Sequence, residues 1–307
     1  MRVLGLGDNV CDKYLHTQTM YPGGNAMNVA VFALKLDCEA AYIGTFGDDE
    51  VGDHVSATAH SLGVDLSRAR RIHGENGYAR VKLVDGDRVF LPGNSGGIAR
   101  QNYPVLSDTD LEYIAGFDLI HTSIYSDMET EYPKLTGIPG FISMDFSDCY
   151  DDERILQCSR YMDCIEISCA DMDPEDIRRY IRTIFESGCR QMVIATRGSR
   201  GAIVAANGKE YMQSPYLVKA KDTMGAGDAF IAAFLVGYVR GMKLCADFPE
   251  SSKNSGITDI EEYKDHLIRV CMHSASVFAA HQVLTDGSFG FGRKFELSQA
   301  DKELLES

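Results

Sequence analysis

The sequence predicts an α/β fold: a doubly wound, mostly parallel sheet flanked by helices, with a small β-rich excursion. Three observations predict it. The chain opens as strand, helix, strand; short apolar runs then alternate with helical stretches; and two hairpin signals interrupt the alternation.

Val3 to Gly7 is the first strand. In the helical stretch Asn25 to Leu36, the residues Met27, Ala30, Val31 and Leu34 recur at spacings of three and four on one face. Ala41 to Phe46 completes the opening unit. The first hairpin pairs Tyr78 to Val84 with Asp87 to Leu91 across Asp85-Gly86. The second pairs Gly201 to Ala206 with Lys209 to Gln213 across Asn207-Gly208. Two-residue loops of this kind favour the positive-φ turns that match strand twist. Phe117 to His121, Phe141 to Asp145, Cys164 to Ile167 and Met192 to Ala195 read as buried parallel strands, separated by helical stretches such as Pro174 to Glu186. The β-rich excursion falls around residues 72 to 100. Asp247 to Tyr263, with Pro249 and Gly256, is polar and reads as a surface insertion.

At 307 residues the chain can hold one large α/β domain plus an appendage, or two modest domains. With 45% hydrophobic and 24% charged residues, its apolar runs fall short of a bilayer span. The N-terminus carries no charged region followed by a long apolar stretch, so no secretion signal is expected. Nine cysteines, odd in number and without a CxxC pair, suggest neither a disulfide framework nor a zinc ribbon; a reducing cytoplasm is expected. A net charge of -15 argues against nucleic-acid or anionic-membrane partners, which need clustered cations. Any phosphate site must then be local, built from backbone N–H groups and a few cations.

The strongest local signal is Asp222-Thr223-Met224-Gly225-Ala226-Gly227-Asp228, followed by the apolar stripe Phe230, Ile231, Phe234, Leu235 and Tyr238. Glycines let such a turn bring its amides toward an anion, and the helix that starts there adds partial positive charge. That device suits phosphoryl transfer, with Asp228 placed to accept a hydroxyl proton. The plain alternative is a glycine loop whose Asp caps a helix.

A second signal is Tyr21-Pro22-Gly23-Gly24-Asn25-Ala26-Met27-Asn28, whose amides could bond polyol hydroxyls or simply cap the helix. Upstream lie Asp8 and Asp12, beyond the first strand, where ligands of open α/β sheets collect. A third, Thr196-Arg197-Gly198-Ser199-Arg200-Gly201, could line a nucleotide or be an ordinary polar turn. Gly5-Leu6-Gly7 is no dinucleotide fingerprint, because Val10 stands at the third glycine position, and no GxxxxGK[ST] occurs. His121 and His281 read as structural histidines.

In this order the three motifs resemble the ribokinase-like, or pfkB, family of carbohydrate kinases across almost the whole chain. The resemblance implies ATP-dependent phosphorylation of a hydroxyl of a small sugar or sugar-amine conjugate. It makes Asp228 the base and Gly225, Ala226 and Gly227 the anion hole. Asp12, Gly23, Gly24 and Asn28 become substrate contacts, and Thr196, Gly198 and Gly201 nucleotide contacts. It implies one ribokinase-like domain over 1–307, with a β-sheet lid formed by about 12–22 and 72–100 that could support a homodimer. The family's N-x-x-E magnesium motif is replaced by Ser168-Cys169-Ala170-Asp171, so Ser168 and Asp171 would stand in for its Asn and Glu in organising Mg²⁺. A monovalent cation such as K⁺ would involve Asp222 and carbonyls near Gly287. Gly7-Asp8-Asn9, Gly47-Asp48-Asp49, Asp87-Arg88-Val89-Phe90 and Asp145-Phe146-Ser147-Asp148 look like the fructoselysine 6-kinase subgroup. A fructosamine's amino-acid tail needs charged partners, for which Arg80, Arg88 and Asp145 are candidates. Rival readings are a nucleoside kinase on the same fold, with Tyr14, Tyr21 and Tyr125 around a base, and a non-catalytic sugar-binding sensor.

Overall fold

The computed structural model describes residues 1–84, 87–247 and 259–306. The opening unit is β1 (Arg2–Gly7), β2 (Val10–Tyr14), β3 (Thr19–Gly23), α1 (Asn25–Lys35) and β4 (Glu39–Gly47), followed by α2 (Glu50–Leu62) and β5 (Arg70–Ile72). Next come β6 (Tyr78–Val84), β7 (Asp87–Leu91), α3 (Gly97–Gln101), α4 (Asp108–Ile114), β8 (Leu119–Ser123) and β9 (Phe141–Asp145). The chain continues through α5 (Asp152–Cys158), β10 (Cys164–Ser168), α6 (Pro174–Glu186), β11 (Met192–Thr196), β12 (Ala202–Ala206) and β13 (Lys209–Gln213). It ends with α7 (Ala226–Asp247), α8 (Ile260–Gln282), β14 (Arg293–Lys294) and α9 (Gln299–Glu306).

Nine strands form the main sheet in the order β13-β12-β11-β10-β9-β8-β1-β4-β5, parallel except for the β12 and β13 edge. Alternate residues of a strand point to opposite faces. Thus Val3 joins the core beneath α1, α7 and α8, while Leu4 and Leu6 join the one beneath α4, α5 and α6. Both faces are covered, which is why these strands read as continuous apolar runs. On α7 the stripe stacks Phe230, Phe234 and Tyr238 at ring spacings of 6.5 and 6.1 Å.

Five strands form a second sheet, β14-β3-β2-β6-β7, antiparallel except for the β2–β6 pair. Its strands β2 and β3 lie between β1 and α1, so Asp12 lies within a strand of the second sheet. Two differences from the sequence reading concern other elements. The strand expected at Phe117 to His121 runs from Leu119 to Ser123, because the Phe117 amide is taken by the Ile114 carbonyl as α4 ends. The expected insertion is narrower: Ile260 to Tyr263 already belong to α8, capped by the Asp259 side chain, and Tyr263 Oη donates to the Gly241 carbonyl at 2.8 Å. The 248–258 part of that insertion and the Asp85-Gly86 turn lie outside the described residues. At the other hairpin, Asn207 and Gly208 take φ of 53° and 70°, as the turn requires.

Candidate active site

The parallel strands deliver a row of polar residues to one end of the sheet. Strand order and register set Thr196 beside Ser168, Glu166 beside Asp145, and Asp145 beside Ser123, with β1 and its Asp8 extension next in line. At ~4.8 Å per strand, the row from Thr196 to Asp8 covers roughly 20 Å.

Asp228 enters this row from the first turn of α7. Asn25 donates through Nδ2 to Asp228 Oδ1 at 2.8 Å and to Asp145 Oδ2 at 2.5 Å. Asn28 donates through Nδ2 to Asp228 Oδ2 at 2.6 Å. Both Asp228 oxygens therefore act as acceptors, which favours the ionised form. Burial opposes that form and, with the Asp145 charge, holds the carboxyl well above the usual range. Asp145 itself is pushed up to about 6, chiefly by burial, although the Ser147 amide and Asn25 pull it down.

Asn25 is held in turn. With its amide hydrogens directed at the two carboxylates, its Oδ1 is an acceptor, so the His121 Nε2 at 2.8 Å carries the proton. The His121 Nδ1 then accepts from Ser143 Oγ at 2.8 Å. Burial drops this histidine to about 3, so it is neutral. Asp8 caps the same helix: its carboxylate accepts from the amides of Asn25 at 2.7 Å and Ala26 at 3.1 Å, and from Ser123 Oγ at 2.7 Å. Both Asp8 oxygens are thereby engaged at the start of the helix. Gly24 is fixed by geometry, since its φ is 105° and a Cβ there would come within 2.5 Å of Asn9 Cα.

Beside Asp228 lies a small cradle over Gly23. A Cβ on Gly23 would meet Asp12 Oδ2 at 3.1 Å, Ser288 Oγ at 3.4 Å and Asn28 Oδ1 at 3.7 Å. Three polar atoms thus converge on a space that glycine leaves open. Asp12 and Asn28 are 5% and 3% exposed, and Asn28 Oδ1 is buried without a partner. An unmet buried acceptor of this kind suits a hydroxyl donor.

Gly225, Ala226 and Gly227 form the turn into α7, where the first amides of a helix have no intrahelical acceptor. Gly225 has φ of 70°. Asp222 pins this turn: its carboxylate accepts from Tyr14 Oη at 2.7 Å, from the Gly287 amide at 2.8 Å and from the Met224 amide at 3.0 Å. Tyr14 is thereby committed to Asp222 and packs edge-on against Tyr21 at 5.0 Å, a structural setting for both rings.

Thr196 ends β11, and Gly198 and Gly201 follow it in a tight turn with φ of 53° and 86°. Arg200 Nη2 donates to the carbonyls of Ala170, Met172 and Cys169, tying this turn to the loop that carries Asp171. Arg197 keeps a buried Nε without a partner. Ser168 and the exposed Asp171 sit at the end of the neighbouring strand. Among the described residues no group of three or more His, Cys, Asp or Glu side chains is disposed to hold a metal by itself. A hydroxyl and one carboxylate open to solvent fit a hard cation that keeps water and phosphate oxygens as its other ligands.

A cavity of about 420 Å³ adjoins the cluster on the Asp8 side, bounded by Asn9, Tyr78, Arg100, Tyr125 and Asp127 as well as Asp8. Of the expected tail residues, the described Arg80 and Asp145 do not line it. Arg80 is tied to Asp301 at 2.5 Å and to the Pro92 carbonyl, Asp145 belongs to the Asp228 cluster, and the Arg88 side chain lies outside the described residues. Ser288, Ser143 and the bridging role of Asn25 carry no motif of their own; only the strand order and the return of the chain after α8 bring them here.

Comparison with known proteins follows the same lines. The family model for pfkB family carbohydrate kinases matches residues 3–246. The chain is 38% identical over 239 residues to the fructosamine kinase FrlD of Bacillus subtilis, covering 78% of this chain and 84% of that protein. It is 33% identical over 239 residues to the fructoselysine 6-kinase of Escherichia coli, covering 78% and 90%. Among solved structures, the aminoimidazole riboside kinase of Salmonella enterica, complexed with aminoimidazole riboside and an ATP analogue, superposes with a TM-score of 0.69 at 18% identity over 99% of this chain and 100% of that one. A fructokinase of Vibrio cholerae bound to fructose, ADP and potassium ion, a double mutant, gives 0.68 at 20% identity over 94% of each chain. The fold is ribokinase-like, and with that extent of match the chain belongs to the pfkB family of ATP-using carbohydrate kinases.

Proposed function

We propose that the protein transfers the γ-phosphoryl of ATP to a primary hydroxyl of a ketose-like sugar joined to an amine, a fructosamine. The cradle over Gly23 carries this reading, because Asp12, Ser288 and Asn28 converge there beside a carboxylate held by two amides. Asp12 and Asn28 hold sugar hydroxyls, with Gly23 and Gly24 bringing backbone close. Asp228 takes the proton of the reacting hydroxyl as its oxygen bonds to the γ-phosphorus and the bond to the β-phosphate oxygen breaks, releasing ADP. The amides of Gly225, Ala226 and Gly227 face the migrating phosphoryl. Thr196, Gly198 and Gly201 receive the nucleotide. Ser168 and Asp171 would hold Mg²⁺, which neutralises phosphate charge when bound. A monovalent cation would lie by the carbonyls near Gly287, with Asp222 as the carboxylate behind them. The second sheet, from about 12–22 and 72–100, acts as a lid on this one kinase domain, and its outer strand supports a homodimer. The relatives that name fructosamine and fructoselysine favour this acceptor over a nucleoside.

Replacing Asp228 with Asn preserves shape and removes the base. We expect kcat to fall by ~10²–10⁴-fold with the sugar KM changed little, measured by coupled ADP release. Turnover at the wild-type rate would show the base to be another group.

A further inference from the structure

The cavity next to the sugar cradle is charged in a way that a plain sugar does not require. It holds Asp8, Asn9, Arg100 and Asp127, all outside the motifs that define the phosphoryl-transfer site. Asp8 is engaged as the cap of α1, but the other three are not equally committed. Asn9 is 1% exposed and donates its Nδ2 to Tyr42 Oη at 2.9 Å and to the Thr45 carbonyl at 2.8 Å, while its Oδ1 is buried without a partner. Asp127 takes φ of 50° at the turn after β8 and lies 3.3 Å from Arg154 and 3.4 Å from Arg100. Arg154 is locked by Glu129 and by the Ile124 carbonyl at 2.7 Å. The Arg100 side chain is 57% exposed, lines the cavity and touches Asp127 at 3.4 Å through Nε. An exposed pair at that distance is weak and exchanges partners readily.

We infer that this cavity is the subsite for the amino-acid end of the acceptor, an inference that rests on the fructosamine reading above. The carboxylate of the tail bonds the Arg100 guanidinium, whose planar fork matches it. The ammonium is received by Asp127, which lines the cavity beside Arg100. Arg100 rides on the short α3 just beyond the second sheet, so the subsite is completed by the same segment that closes over the sugar.

The test compares fructosyl-lysine with fructosyl-butylamine, which keeps the sugar and the linking amine but lacks the carboxylate and the free amine; fructosyl-6-aminohexanoate, which restores the carboxylate alone, should behave as fructosyl-lysine does. The wild-type protein and the Arg100→Met and Asp127→Asn variants are assayed by ADP release. We expect the wild type to prefer fructosyl-lysine, and Arg100→Met to cut the kcat/KM ratio of fructosyl-lysine over fructosyl-butylamine by about 10–100-fold, the value of one charge-assisted contact, through KM rather than kcat. Asp127→Asn, in a position where asparagine accepts positive φ, should weaken both conjugates, since both carry the amine. If Arg100→Met leaves the ratio at its wild-type value, the subsite is wrong while the fructosamine reading stands. If the wild type phosphorylates neither conjugate but does phosphorylate a free sugar, the fructosamine reading itself fails.

Discussion

Asn25 sits between two carboxylates and offers one amide to both, at 2.8 Å and 2.5 Å. Burial raises the proton affinity of both carboxyls; the Asp145 charge adds to it at Asp228, and the Asp8 and Asp148 charges add to it at Asp145. Asp145 reaches about 6, and Asp228 is also held well above the usual carboxylate range. The consequence for stability has a definite sign. A carboxyl whose folded-state pKa lies above its unfolded value binds protons more tightly in the folded protein, so its favourable contribution is present below ~3.9 and is lost as pH rises through about 6. Asp145→Asn should therefore match the wild type in denaturant melts near pH 4 and exceed it by roughly 2 kcal/mol near pH 8, at ~1.4 kcal/mol for each tenfold change in proton affinity. The same variant removes a charge that discourages ionisation of Asp228. The acidic limb of the kcat/KM profile should shift to lower pH; a limb that stays fixed or moves up would mean that the two carboxyls titrate independently.

Between residues and the whole fold, legibility followed locality. The turn from Asp222 to Asp228, the diglycine before α1 and the Asn207-Gly208 hairpin are short-range signals, and each forms where its residues imply. The strands β2 and β3 are not short-range objects. Val10–Tyr14 reads VCDKY and Thr19–Gly23 reads TMYPG, with neither an apolar run nor a turn pair to mark them; they pair with each other, and β2 also pairs with the distant β6. Ser143 and Asp145 are placed by the neighbours of β9, and Ser288 by a loop without a motif, so strand order, which sequence pattern does not reveal, decides their membership of the site. The turn into α7 offers a direct test of what its two glycines do. Gly225 has φ of 70°, and a Cβ there would lie 2.9 Å from Ser288 Cα; at Gly227 a Cβ meets nothing within 4 Å. Gly225→Ala should cost ~1–2 kcal/mol or more through left-handed strain and the clash, lower the melting temperature and displace Ser288 from the cradle. Gly227→Ala should keep or slightly raise the melting temperature, as alanine does in a helix. It should still depress kcat, because the new methyl stands where the phosphoryl would pass. Equal melting temperatures for the two variants would overturn this division of roles.

At the scale of the molecule, the main sheet is covered on both faces and closed at its edges by antiparallel or short strands, but the second sheet ends in β7, which pairs only with β6 in the described fold. An outer strand with an open hydrogen-bonding edge invites a partner, and natural proteins usually blunt such edges with charge. Among the described side chains of this edge, Phe90 is 60% exposed and Val89 37%. A second copy of the chain, adding its own second sheet along β7, would cover both residues. That contact would also steady the acceptor side, since Tyr78 and Ala79 of the adjacent β6 line the cavity beside the sugar cradle. The inner part of the sheet is already anchored within the chain by Arg80 to Asp301 and by the Lys13 ammonium 3.9 Å from the Tyr78 ring centroid, so the outer strand is the part that a partner would order. Light scattering should therefore report a dimer for the wild type and a monomer for Phe90→Glu, which places a charge at the centre of the contact. Because Thr196 and its turn lie at the opposite end of the site row, the monomeric variant should show a KM for the sugar acceptor raised several-fold, with the KM for ATP much less affected. A wild type that stays monomeric at assay and at millimolar concentrations would refute the dimer, and equal increases in both KM values would refute the link between the β7 edge and the acceptor pocket.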